Sequence, residues 1–495
     1  MGWTGYDQRW FTEGRDSMLT ETAKPRVLIG LPSDIFLRNF VETKAFTSLS
    51  ERFEVFWFTT EAVRHALPEL PGFTRVESCK IDPRRDMIRY HLRWLAVFAG
   101  RSRSRLMRLK ALSVGSRRER WPYTLLSAPG VWPITDALVE AWLGQNQSLA
   151  AIFDAVKPDV AVFPSQGNDS FAIDIMKVAK SRRVHTVMLN YNWDNMGSKG
   201  AMRIKPDRLC VWGEDMAALA RQVHHLRPEQ IRIIGAAQFQ QYFDPEQMAA
   251  ASRAAAQSPQ EPPRLLFAGA SRGHPEARFL KTLDEAIETH RLPALQIIYR
   301  PHPWRAPRPH ENPFHAYGYR HITMDRQVAG QFMVDDMNAP TKRVDYTFAP
   351  SIAYNAELLH SIRGVITPLS TLSLEAALVG VPVLAIHFPE ERWLKDALDN
   401  FEHLQRMCRQ VPGVVICREE PRFLEAVRQL LELGGDPTLP ARMREAIKPI
   451  LYADGATTYA DRLASVIEEV LGKRENLSKM QEPVESCIPV EGWVR

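Results

Sequence analysis

Gly364-Val365-Ile366-Thr367-Pro368-Leu369-Ser370-Thr371-Leu372-Ser373-Leu374-Glu375-Ala376-Ala377-Leu378-Val379-Gly380-Val381-Pro382-Val383-Leu384 is the stretch that decides the fold. It reads as a buried strand, a Ser/Thr turn, a short helix closed by Gly380 and a second buried strand. Ser370 or Thr371 supplies the N-cap, and Glu375 falls just inside the first turns. Leu374, Ala377 and Leu378 give an i, i+3, i+4 inner face. The helix then turns free N–H groups and the positive end of its dipole toward whatever lies beyond the strand's carboxyl end. In an open parallel sheet that edge is where ligands bind. An ordinary capped strand-helix turn would use the same residues, so this stretch alone does not establish a phosphate site.

Two further strand ends point the same way. Leu295-Gln296-Ile297-Ile298-Tyr299-Arg300-Pro301-His302-Pro303 is a strand running into Arg-Pro-His-Pro. The prolines cannot donate to a sheet and stiffen the turn. Arg300 and His302 are thereby held at a strand's carboxyl end, where a guanidinium fork and an imidazole suit phosphate oxygens. Arg264-Leu265-Leu266-Phe267-Ala268-Gly269-Ala270-Ser271-Arg272-Gly273 is again a strand entering a glycine-flanked turn.

The order of these elements, followed by Asp454-Gly455-Ala456-Thr457 before a last helix, resembles the C-terminal half of GT-B glycosyltransferases. The likeness is to the branch containing CDP-glycerol glycerophosphotransferases and bacterial capsule or surface-polysaccharide transferases, and it covers Arg264 to Leu471. It implies an α/β protein of two Rossmann-like doubly wound domains, an interdomain cleft and a C-terminal crossover helix. It also implies a donor diphosphate on the second domain, an acceptor on the first, and a ribose-binding role for Glu375. A dipole-favoured helix carboxylate, contributing a few tenths to about 1 kcal/mol, is the alternative for Glu375.

With 495 residues the chain has room for two such domains. Its 45% hydrophobic and 24% charged content is ordinary for a globular protein. No run approaches the roughly 18 apolar residues of a membrane span, and the first residues lack a signal peptide's apolar core. Cys79, Cys210, Cys408, Cys417 and Cys487 form neither a metal spacing nor an even disulfide set, which fits a reducing cytoplasm. The net charge of +5 conceals a local excess of nine positive charges between Asp82 and Arg120. There Tyr90, Trp94, Leu95, Phe98 and Leu106 alternate with arginines, as in basic amphipathic helices at a membrane surface. A solvated helical insert is the plainer alternative. No nucleic-acid motif accompanies these arginines.

The expected organisation is an arm over 1–23, a first Rossmann-like acceptor domain over 24–245 with its basic insert at about 82–120, and a linker at 246–263. A nucleotide-donor domain with its crossover helix follows at 264–472, then a tail at 473–495. In the first domain, Arg26 to Leu31 is a strand ending near Asp34. Phe53 to Phe58 is a second strand, and a later one, Asp159 to Pro164, leads to a helix capped around Asp169. The loop Tyr191-Asn192-Trp193-Asp194-Asn195-Met196-Gly197-Ser198-Lys199-Gly200 follows another strand, His185 to Asn190, and is a dense polar site candidate. An Asx-turn is its plain alternative.

The chemistry expected is inverting transfer of a sugar from a nucleotide-activated donor to a cell-surface polysaccharide or lipid-linked glycan. The donor is a substrate, and no cofactor is expected. No Asp-x-Asp motif occurs, so a metal-free scheme is expected, with Arg272, Arg300, His302 and the groups at Gly269, Ser271, Ser370 and Thr371 facing the phosphates. Asp194, Asp34 and Asp169 are candidate general bases. An anionic membrane surface is the expected partner of 82–120, with the protein cytoplasmic or peripheral at the inner face. Transfer of a CDP-activated polyol phosphate would use the same cationic cluster. A non-hydrolysing nucleotide-sugar epimerase shares the architecture. Gly269-Ala270-Ser271-Arg272-Gly273 also matches the nucleophile elbow of α/β-hydrolases, although His274-Pro275 interrupts its helix entry. A non-catalytic scaffold is the remaining class.

Overall fold

The computed structural model describes residues 24–61, 63, 69–102, 104–113, 117–257, 262–269, 276–302, 318–328, 350–387, 397–452 and 456–472. Of residues 113, 117–120, 397 and 399 it describes the backbone alone. The proposed arm and tail, together with Ser271, Arg272 and the Asp454-Gly455 pair, lie outside the described residues.

Among the described residues thirteen strands form two sheets, and every strand pairing within them is parallel. The first sheet contains β1 (Arg26–Leu31), β2 (Glu54–Thr59), β3 (Phe73–Arg75), β4 (Val160–Ser165), β5 (His185–Asn190), β6 (Arg208–Val211) and β7 (Ile231–Ile233). Its order is β3-β2-β1-β4-β5-β6-β7. The second contains β8 (Arg264–Ala268), β9 (Gln296–Arg300), β10 (Ile322–Met324), β11 (Gly364–Thr367), β12 (Val383–Ile386) and β13 (Val414–Cys417). Its order is β10-β9-β8-β11-β12-β13. All residues of β4, β11 and β12 are buried. Helices covering both faces of a parallel sheet make its strands read as unbroken apolar runs. Each sheet reverses its direction of growth once, between β1 and β4 and between β8 and β11. A doubly wound sheet opens its binding crevice at that reversal, beyond the carboxyl ends of the strands.

Five described helices fill the connection from β3 to β4: an insert of α1 (Pro83–Phe98), α2 (Arg105–Ser113), α3 (Arg117–Leu126) and α4 (Val131–Leu143), then the helix Gln147–Val156 that leads into β4. Asp82 starts α1 by accepting from the Arg84 amide, with Pro83 at the first helical position. The arginines of this insert do not form one solvated stripe. Arg85 and Arg89 are buried, each 2.7 Å from Asp174 Oδ1 on α5 (Ser170–Ser181), and Arg89 also meets Glu140 Oε2 of α4 at 2.9 Å. Arg203 and Lys177 join the same cluster through Asp136 and Glu140. Acids from outside 82–120 thus neutralise part of a charge excess that looks uncompensated along the chain.

The stretch read as a linker is partly helical. Asp244 accepts from the Glu246 and Gln247 amides and starts α6 (Pro245–Ala256), which packs on α7 (Ile352–His360) of the second domain. The next helix is α8 (Thr371–Val379), buried almost all round rather than on the one face expected. Gly380 closes it at φ 89°, in the left-handed region, where a Cβ would lie 2.3 Å from Pro440. The last described helix, α9 (Tyr459–Val470), packs on the first domain. There Arg462 Nε donates to the Ile234 carbonyl at 2.9 Å, and Glu469 pairs with Arg208 and Arg232.

Candidate functional site

On the second domain, the end of β9 delivers Arg300, which is 8% exposed. Its Nε donates to Asp325 Oδ2, beyond β10, and its Nη1 donates to Asn355 Oδ1 on α7 at 2.7 Å. Tyr354 donates to the other Asp325 oxygen at 2.7 Å. The guanidinium is therefore anchored on two sides. Its buried Nη2 has no hydrogen-bond partner among the described residues. Two of the fork's nitrogens thus set its orientation.

Asn355 links this arginine to the organising helix, because its Nδ2 donates to Glu375 Oε2 at 3.4 Å. The same oxygen accepts from Tyr242 of the first domain at 2.7 Å. Burial raises the Glu375 carboxyl above its ordinary value, against the opposing pull of Tyr242, Arg38 and Arg300. Burial and the neighbouring carboxylate push the Tyr242 phenol far up, so the proton stays on tyrosine. Ser370 is the residue preceding α8, and its amide donates to Ser373 Oγ at 3.4 Å. Thr371 Oγ1 donates to Asn192 Oδ1 of the first domain at 3.1 Å. Gly269 ends β8 with its amide on the Arg300 carbonyl at 2.8 Å, and a Cβ there would lie 2.5 Å from the buried Glu276 carboxylate. His302 is half-buried two residues beyond β9.

On the first domain, Asp34 opens the helical turn after β1 and is half-buried. One turn later Arg38 donates to the Pro350 carbonyl at 2.9 Å, and its charge also reaches Glu375. The end of β1 therefore stands against the end of β11. Asp169 is the N-cap of α5, accepting from the Ala172 amide at 2.9 Å and from Ser165 Oγ. Asp194 Oδ2 accepts from Ser198 Oγ and pairs with Lys199 Nζ, both at 2.8 Å. Burial pushes this carboxyl upward, but Lys199 and His403 outweigh it and hold it below its ordinary value. Lys110 of α2 donates to the Ser198 carbonyl at 3.1 Å, and burial beside Lys199 lowers its ammonium to about 8. From the second domain, Glu402 accepts the Arg105 amide at 2.8 Å, and His403 packs edge-on against Trp193. Burial holds His403 down to about 4.

The structure thus gathers Arg300, Ser370, Thr371 and Glu375 on one wall and Asp34 and Asp194 on the other. Asp169 serves there as a helix cap. Arg38 belongs to the Asp34 wall, at the helix start where the sequence sets both, while Tyr242, Asp325, Asn355, Lys110 and His403 belong to the same walls and were missed in the sequence. Asp325 follows the carboxyl end of a strand and had a findable signal, whereas Tyr242 and Asn355 reach the site only through tertiary packing. Among the described residues no group of three metal-ligating side chains comes together.

No protein-family model and no curated protein matches the sequence. Among solved structures, the chain is similar to MnaA of S. aureus, solved with UDP, at TM-score 0.52 and 11% identity over 93% of this chain and 99% of that one. It is equally similar to a putative UDP-N-acetylglucosamine 2-epimerase from Listeria monocytogenes, at TM-score 0.52 and 12% identity over 92% and 99%. A weaker likeness, TM-score 0.47 and 10% identity over 92% and 91%, is to the wall teichoic acid polymerase TagF. The likeness is one of fold, two Rossmann-like α/β domains that resemble the GT-B architecture.

Proposed function

We propose that this protein is a GT-B transferase that moves a sugar from a nucleotide-activated donor to a cell-surface polysaccharide or lipid-linked glycan. The observation that carries the reading is the anchored Arg300, with one nitrogen unpaired among the described residues, beside the Ser370–Thr371 helix start and the Glu375 carboxylate. The donor diphosphate sits on Arg300 Nη2 and the free amides of α8, and Glu375 accepts from the ribose hydroxyls. An acceptor hydroxyl attacks the sugar's anomeric carbon, the bond to the diphosphate oxygen breaks, and its electron pair leaves with the phosphate. Cation and helix dipole are in place before that charge develops, which lowers the barrier. The acceptor proton passes to a carboxylate. Asp34 and Asp194 are the two candidate bases, and of Asp194 it is Oδ2 that Lys199 and Ser198 engage.

Epimerisation is the second reading, favoured by the named activity of the Listeria neighbour and the UDP held by the S. aureus protein. The deciding experiment supplies radiolabelled UDP-, GDP- and CDP-activated donors with and without an extract of lipid-linked glycans. Acceptor-dependent incorporation of label, matched by nucleotide release, is expected. Conversion of UDP-N-acetylglucosamine to an epimer without acceptor would overturn transfer.

A further inference from the structure

The large apolar side chains that are exposed among the described residues all fall between Ile81 and Trp142, in and beside the four-helix insert. On α4, Ile134, Leu138 and Trp142 recur at i, i+4 and i+8 and are 61%, 65% and 75% exposed, while Trp132 turns inward. On α3, Trp121 and Leu125 repeat the spacing at i, i+4. On α1, Met87 lies outward while Arg85 and Arg89 are buried. The three helices pack on one another. Elsewhere the described surface exposes no large apolar side chain, so this face is a local feature of the insert and not a general property of the protein.

We propose that the outer face of α1, α3 and α4 docks on an anionic lipid bilayer, lying in the headgroup layer with Ile134, Leu138, Trp142, Trp121, Leu125 and Met87 inserted. The inference is independent of the transfer reading. Arg84, Arg101, Arg105 and Arg108 are exposed on and beside α1 and α2, where they complement anionic headgroups. Tryptophan favours that interface because its ring is apolar and its N–H polar. No helix of the described residues is long and apolar enough to cross a membrane, so the contact is one of lying on the surface. A second copy of the chain fits less well, since a two-fold interface would set these arginines against themselves. The sequence placed the membrane contact on the arginines of 82–120. The structure turns two of those inward, as clamps to Asp174 and Glu140, and moves the candidate contact to apolar residues that extend to Trp142.

The test is co-sedimentation of the full chain with vesicles of phosphatidylcholine and phosphatidylglycerol in equal parts, against phosphatidylcholine alone. Two variants, Leu138→Glu with Trp142→Glu and Trp121→Glu with Leu125→Glu, change exposed residues on different helices, so one remains readable if the other fails to fold. Wild type should bind the anionic vesicles, more weakly as salt rises, and each folded variant should bind roughly tenfold or more weakly. A wild type that stays in the supernatant, or folded variants that bind as wild type does, would overturn the proposal. So would a wild-type dimer in light scattering that both variants convert to monomer with vesicle binding unchanged.

Discussion

The phenol of Tyr242 donates a 2.7 Å hydrogen bond to Oε2 of Glu375, which lies 133 positions further along the chain and on the other domain. The carboxylate at the heart of the second domain's crevice is thus completed by the first. Tyr242→Phe removes the donor and leaves a buried oxygen short of a partner, at a cost of about 1–3 kcal/mol. Urea unfolding should show that loss, and Glu375→Gln in the same background should recover part of it, because a neutral amide is cheaper to bury than a carboxylate.

Arg300→Lys keeps the charge and loses the fork. An ammonium cannot hold Asp325 and Asn355 while presenting a third nitrogen. Calorimetric titration should show a nucleotide dissociation constant raised by roughly 10- to 100-fold, the equivalent of one charge-assisted bond.

The two leading base candidates separate by what their amide substitutions do. If Asp34 is the base, Asp34→Asn should lower kcat by about 10²- to 10⁴-fold. Asp194→Asn should instead lower stability, because Lys199 and Lys110 lose a common counter-charge in a half-buried setting. Parallel kinetics and thermal melts distinguish the two, and the reverse pattern would exchange their roles.

Glu140 makes the insert's attachment depend on pH. Burial would raise its carboxyl, but Arg89, Lys177 and Arg203 outweigh burial and pull it down to about 2. A folded-state value below the unfolded one stabilises above the unfolded value and loses that contribution as pH falls toward the folded one. The window runs from about pH 5 to pH 2, and the contribution is about 3 kcal/mol. The stability gap between wild type and Glu140→Gln in urea should therefore be widest near neutrality and narrow toward pH 3. A gap that is constant with pH would place the ion pairs elsewhere.

Much of this was legible because parallel strands and the turns that end them leave local marks. The unbroken apolar runs of β4, β11 and β12, the Gly380 stop and the Arg300 strand end all lie within a few residues of their cause. What was not legible depends on distance in sequence. The arginines at 85 and 89 look like a solvated charge run until Asp174 and Glu140 arrive from other helices. Tyr242 sits in the short 3-10 segment Ala237–Phe243, which has no pattern of its own, and its role is set wholly by Glu375. The helix Pro245–Ala256 was hidden because its Ala-, Gln- and Ser-rich composition also suits a linker, and only the Asp244–Pro245 cap marks its start.

The most direct measurement is a thermal-shift panel of CMP, CDP, UMP, UDP, GDP and ADP on wild type and Arg300→Lys. A nucleotide at about 100 times its dissociation constant adds roughly 2.7 kcal/mol, enough to raise the melting temperature by roughly 5 °C. One nucleoside diphosphate should stabilise wild type by this much, its monophosphate by less, and the variant hardly at all at the same concentration. If no nucleotide shifts wild type, or if the variant responds as wild type does, the crevice around Arg300 and Glu375 is not a donor site.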